Sequence, residues 1–211
     1  METPEQPYNI VCICLDTLRW DHVGANGNPW IHTPNLDRFA SEAAVFDRSY
    51  IGSCATIPCR TDLFTGTTTW PYRGWTPLPR DIPVLATVFG QRGYTPVLIA
   101  DTYHLFRDGH QFDRDFHSFH WIRGQEGDRW VPVLSSRPVQ LPAAESKLRN
   151  PERLRTNYLP KTAERRTEID YFAPQTMTTA MRWLEHNRSV QPFFLWIDEF
   201  DPHEPWDPPQ H

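Results

Sequence analysis

The chain has 211 residues, 39% hydrophobic and 22% charged, the balance of a soluble globular domain or of part of a larger one. A net charge of -5 provides no basic footprint for nucleic acid, and no apolar run approaches the roughly 20 residues that would span a bilayer. The opening METPEQPYNI is acidic and polar and lacks the basic start and apolar stretch of a secretion signal, so the expected location is cytoplasmic.

Residues Tyr8 to Leu15 (YNIVCICL) form a nearly unbroken apolar run ending at Asp16, which reads as a buried parallel strand. Within it Cys12 and Cys14 share one face and read as reduced core residues. No C-x-x-C pair links the four cysteines, so neither a zinc ribbon nor a thioredoxin-type site is supported. Thr33-Pro34 opens a helix, with Thr as N-cap and an inward stripe of Leu36, Phe39, Ala40 and Ala43. A second helix starts near Pro58 and stops at Gly66. A third runs from Pro83 to Arg92, with Leu85, Val88 and Phe89 inward and Gly93 as its stop. Thr95 to Ala100 (TPVLIA) is the next strand. Trp130 to Lys161 shows no period and reads as an irregular excursion over the surface. A helix from Pro174 to Glu185 aligns Met177, Ala180, Met181 and Leu184, and Phe193 to Ile197 (FFLWI) is the last strand.

Strands that alternate with helices imply an α/β sheet with helices on both faces. In such sheets ligands collect at the carboxyl ends of the strands. Asp16 follows the first strand, Asp101 the second, and Asp198, Asp201 and His203 the last, so three strands deliver polar residues to one edge.

The segment from Ser53 to Gly66 (SCATIPCRTDLFTG) carries the chemistry. Thr56 lies just before the helix that starts at Pro58, where the helix dipole favours an alkoxide and an incoming anion. Arg60, in the first turn, can reach back to the same spot with a forked donor. A divalent metal bound by Asp16 would activate the hydroxyl. The competing reading makes Thr56 only an N-cap and Arg60 only a surface residue.

Here a family resemblance enters. Ile13-Cys14-Leu15-Asp16-Thr17-Leu18-Arg19-Trp20-Asp21-His22 resembles the start of many sulfatases of the alkaline phosphatase superfamily, and Thr33-Pro34-Asn35-Leu36-Asp37-Arg38-Phe39-Ala40 is similar to a helix of that family. Pro58-x-Arg60 with Leu63 and Thr65-Gly66 resembles the signature C/S-x-P-x-R…L-x-T-G. Gly93-Tyr94-Thr95, Phe193-Phe194-Leu195 and Asp201-Pro202-His203-x-Pro205 follow in the family's order. The resemblance implies an alkaline phosphatase-like sheet, with residues 1–211 as the N-terminal part of a single catalytic domain. It also implies a strand-end metal ligand at Asp16, and roles at the transferring group for His203 and, with a one-residue shift, His104.

Four departures qualify it. The position that sulfatases convert to formylglycine is Thr56, whose oxidation would give a ketone, so no formylglycine is expected; the implied mechanism is direct attack by the Thr56 oxygen. Asp16 is followed by Thr17 and not by a second Asp. The family's Gly-Lys-Trp-His-Leu-Gly element reads Ala100-Asp101-Thr102-Tyr103-His104-Leu105, without the Lys. The family's later ligands, an Asp followed by His or Asn, would fall after His211, so the expected fold is incomplete and the chain by itself inactive.

The leading expectation is thus a metal-dependent sulfuric ester hydrolase, acting on a small sulfate or phosphate ester. Thr56, Arg60, His203 and His104 would form its catalytic group. Asp16 and Thr56 would bind one divalent ion, calcium first, manganese or zinc as alternatives. The rivals are a phosphodiesterase or phosphonate monoester hydrolase of the same superfamily, and a catalytically inactive member that binds an anion or a partner protein.

Overall fold

A computed structural model describes residues 7–70, 72–131 and 140–209. Four strands, β1 (Ile10–Leu15), β2 (Thr95–Ala100), β3 (Ser118–Trp121) and β4 (Phe193–Glu199), pair in parallel in the order β1-β4-β2-β3. β4 is central and each of its residues is buried, as its unbroken apolar run requires.

Helices lie on both faces, as expected from the alternation of elements. On one face α2 (Thr56–Thr65) and α3 (Leu85–Gln91) bring Ile57, Phe64 and Ala86 against Leu98, Phe194 and Trp196. On the other, α6 (Phe172–His186) covers Val97, Ile99, Leu195 and Ile197 with Phe172, Ala180 and Leu184. That second cluster contains no β1 residue. β1 therefore alternates, with Ile10, Cys12 and Cys14 packed on the α2 side and Val11 and Ile13 left 47% and 53% exposed. The expected fully buried strand is an edge strand with one open face.

Other expectations shift in the same way. Helix α1 (Pro34–Glu42) forms where Thr33-Pro34 places it, yet none of its residues is buried and Phe39 is 71% exposed. The Thr33 hydroxyl does not cap this helix. It accepts from the Gly24 amide and donates to Asp37, which also takes the Ala25 amide, so polar contacts hold α1 in place. Met181, on the apolar stripe of α6, is exposed. Part of the expected irregular excursion is helical: α4 (Pro151–Arg153), a π-helical turn (Leu154–Tyr158) and α5 (Leu159–Thr162) run on from one another. Pro160 lacks the amide that a regular α-helix needs there, which breaks the apolar period without ending the helix. Residues 132–139 of the excursion lie outside the described residues. β3, too short to show a period, has no counterpart in the sequence reading.

Candidate active site

Helix α2 begins at Thr56 itself, two residues earlier than its sequence signals, with Ala55 as N-cap and Gly66 as a left-handed stop at φ 68. Pro58 falls in the first turn, where its missing amide leaves no helical bond unmade. Arg60 therefore sits in the second turn. Thr56 and Arg60 are four apart on one face of α2, and both are buried.

That face is turned to the carboxyl ends of β1 and β4. The Arg60 guanidinium donates through Nε and Nη2 to the two carboxylate oxygens of Asp198, both at 3.1 Å. The same Nη2 lies 3.3 Å from Asp16 Oδ2. Asp198 also accepts from the Thr102 hydroxyl at 2.7 Å and the Trp196 indole at 3.0 Å, so its oxygens are fully used. Burial alone would lower the Arg60 pKa, but Asp198 outweighs it and the pKa rises, which keeps the guanidinium charged.

Asp16 differs from Asp198. It is buried, and its Oδ2 has no hydrogen-bond partner among the described residues. Thr17 follows in the left-handed region, at φ 57, and turns the chain away directly after the carboxylate. One guanidinium between two buried carboxylates leaves a single net negative charge and one unsatisfied oxygen. That is an environment a cation would complete, so the residues present fit a metal ion at Asp16. The nearby thiols are poor alternatives as nucleophiles. Burial, aided by Asp198, pushes Cys14 up to about 12, and burial raises Cys59 as well. All four cysteines are free.

His104 and His203 flank one ring. His203 stacks on Phe200 with centroids 4.3 Å apart, and His104 approaches the same ring at 5.8 Å. His104 Nε2 lies 3.1 Å from Glu126, while its Nδ1 is buried without a hydrogen-bond partner among the described residues. Burial works to raise Glu126, but His104 and the Arg153 guanidinium bring it down to about 2. The structure thus makes two groups of the expected site residues: Asp16, Thr56 and Arg60 around the start of α2, and His104 with His203 around Phe200. Asp198 was legible only as a strand-end acid, not as the partner of Arg60. Thr102 and Glu126 left no sequence signal, because each acts through a side chain far away in the chain, and Trp196, two residues before Asp198, read only as part of the last strand's apolar run.

The third strand-end acid, Asp101, faces Glu199 and Asp201, and one oxygen from each falls within 4.8 Å of the others. Asp101 accepts from the Phe200 amide at 2.7 Å. Burial, then the charge of Asp101, pushes Glu199 up to about 11, so this pair retains a proton at neutral pH.

A parallel sheet between two helical layers, with a hydroxyl, a guanidinium and an unsatisfied carboxylate at the strand ends, defines the class as an α/β protein of the alkaline phosphatase-like fold. The architecture matches the phosphonate monoester hydrolase of Agrobacterium radiobacter with a TM-score of 0.70 at 19% identity, over 97% of this chain and 43% of that one. It also matches a phosphonate monoester hydrolase from Silicibacter pomeroyi, with a TM-score of 0.64 at 22% identity, over 96% of this chain and 43% of that one. The Sulfatase family model matches residues 8–211, and the chain belongs to the sulfatase family. Among curated relatives, mouse (Mus musculus) N-acetylgalactosamine-6-sulfatase is 43% identical over 61 residues, 29% of this chain and 12% of the relative. Arylsulfatase G of Rattus norvegicus is 29% identical over 166 residues, 72% of this chain and 31% of the relative. The chain therefore spans less than a third of the length of either relative.

Proposed function

We propose that the chain contributes the nucleophile half of a metal-dependent sulfuric ester hydrolase, with Thr56 as nucleophile. The observation that carries this reading is the unsatisfied, buried Oδ2 of Asp16 beside the Arg60 guanidinium, at the start of the helix that Thr56 opens. Asp16 and Thr56 would hold a divalent ion, calcium by family habit, which when bound supplies charge to favour the ionised hydroxyl and the anionic ester.

The chain's own groups do the rest. The α2 N-terminus and Arg60 favour negative charge on the Thr56 oxygen. That oxygen gives up its proton to solvent water and bonds to sulfur, the bond from sulfur to the alcohol oxygen breaks, and His203 or His104 supplies the proton with which the alcohol leaves. Water then cleaves the threonyl ester. Asp198 does not touch the substrate: saturated by four donors, it fixes the direction of Arg60. A threonine in place of the formylglycine precursor favours a second reading, an enzyme for phosphate diesters or phosphonate monoesters.

Thr56→Ala tests the proposal on the full-length protein with calcium, manganese or zinc. Turnover of an aryl sulfate should fall about 10³-fold or more. Parallel assays with a phosphate diester and a phosphonate ester separate the two readings. Turnover unchanged in Thr56→Ala refutes the nucleophile, and no turnover with any substrate and metal supports an inactive, anion-binding member.

A further inference from the structure

The helical part of the excursion grips one loop beside the candidate site. Lys161 of α5 donates to the carbonyls of Glu126 and Asp128, at 2.6 and 2.9 Å, and to Asn157 Oδ1 at 2.7 Å, which uses every proton of the ammonium. Burial brings Lys161 down to about 8, which marks an internal tie and not a solvated surface lysine. Arg153 of α4 donates to Glu126 Oε1 at 2.8 Å. A third hold is local: the side-chain carbonyl of buried Gln125 accepts from the Glu126 amide at 3.0 Å. Glu126 needs these holds, because its backbone lies in the left-handed region at φ 37, which is costly for a residue with a Cβ. Gly127 then lets the loop pass close to its neighbours: a Cβ there would stand 2.5 Å from the Tyr103 hydroxyl and 3.0 Å from Arg153 Nη2.

What the clamped loop presents is one carboxylate oxygen. Glu126 Oε2 is buried, has no hydrogen-bond partner among the described residues, and faces His104 Nε2 at 3.1 Å. Three rings fix the imidazole on its other sides: Tyr103 at 4.0 Å and Phe200 at 5.8 Å, both buried, and Trp75 edge-on at 5.0 Å. Nδ1 is the ring atom left for a ligand. His203 has no comparable hold, since its Nδ1 meets the carbonyl of its neighbour Glu204 in the same loop.

We propose that Glu126 is a positioning residue: clamped by Arg153 and Lys161, it accepts the Nε2–H of His104 and leaves Nδ1 to hand the proton to the departing alcohol. The role rests on the hydrolase reading of Thr56, and it narrows the choice between the two histidines to His104. Nδ1 gives its proton to the alcohol oxygen as the bond from sulfur breaks. The water that cleaves the threonyl ester returns one proton to Nδ1 and gives its other to the Thr56 oxygen, while the Nε2–H stays with Glu126 throughout. Among the three rings only Trp75, 46% exposed, borders solvent, so substrate reaches Nδ1 from its side.

The test is Glu126→Gln, which keeps size and shape. Arg153 claims the amide oxygen, so the NH2 group faces His104 Nε2 and expels the proton there. In the full-length protein kcat should fall about 10²-fold with KM within about twofold. Lys161→Met, which releases the loop, should cost about tenfold in kcat with the same unchanged KM. In a His104→Gln background Glu126→Gln should cost nothing further, because it acts through that ring. Losses that multiply, or that fall on KM alone, overturn the proposal. A readout without turnover keeps the two readings apart. Nitrogen NMR of the histidine-labelled chain, with His104 assigned by its loss in His104→Gln, should show the neutral ring as the Nε2–H tautomer in the wild type and as the Nδ1–H tautomer in Glu126→Gln. The same tautomer in both chains overturns the proposal. Absence of turnover with any ester sinks the hydrolase reading instead, and the tautomers still decide whether Glu126 holds the ring.

Discussion

Arg60 and Asp198, 138 residues apart in the chain, are joined by two parallel 3.1 Å hydrogen bonds between buried side chains. This pair ties the start of α2 to the end of the central strand and so fixes where Thr56 stands. Its strength lies in geometry: a forked donor meets both oxygens of one carboxylate, and Thr102 and Trp196 complete the acceptor shell.

The pair should be costly to break from one side. Arg60→Ala leaves Asp16 and Asp198 as uncompensated buried charges, and a loss of about 3–5 kcal/mol in urea unfolding is expected. Arg60→Lys keeps the charge but not the fork, and should recover only part of this. A loss below about 1 kcal/mol for Arg60→Ala would mean that water reaches the site freely.

Asp16 should respond to metal and Asp198 should not. Added calcium, manganese or zinc should raise the melting midpoint of the wild-type chain, since a ligand that binds only the folded state stabilises it. Asp16→Asn removes the unsatisfied charge, so its midpoint without metal should equal or exceed that of wild type, and the metal-dependent rise should vanish. A rise of equal size in Asp16→Asn would place the ion elsewhere.

The Asp101–Glu199 pair sets a pH dependence of known sign. The Glu199 carboxyl ionises near 4.5 when unfolded and is pushed up to about 11 when folded, so the folded state binds the extra proton. Stability therefore falls as pH rises above about 4.5, and burial of Asp101, raised from 3.8 to about 7, adds to the fall across that window. Glu199→Gln should stabilise the chain more at pH 8 than at pH 5. Denaturant midpoints for both proteins at the two pH values check this, and a gain that does not grow with pH would refute it.

Glu126 works in the opposite direction. Held down at about 2 against 4.5 when unfolded, it adds stability that is present above pH 4.5 and lost as pH falls toward 2. Glu126→Gln should flatten that acid limb. Denaturant midpoints of both proteins at pH 5 and pH 3 check this, and an acid limb equally steep in Glu126→Gln would refute it.

Much of this protein was determined by sequence alone. The apolar runs of β1, β2 and β4, the proline and glycine bounds of α1 and α2, and the acids at the strand ends are local signals, set by backbone sterics and side-chain period. They were enough for the α/β class, for the edge at which the strand-end acids gather, and for Arg60 as a residue near Asp16. Only the tertiary structure decided which faces are covered. The stripe on α1 and the outer face of β1 have the same apolar period as buried elements, yet they stay exposed because burial depends on what packs opposite. It also decided the partners: Asp198 for Arg60, Glu126 for His104, Glu199 for Asp101. These contacts join residues 22 to 138 positions apart, and no local pattern encodes which charge a folded chain will bring beside another.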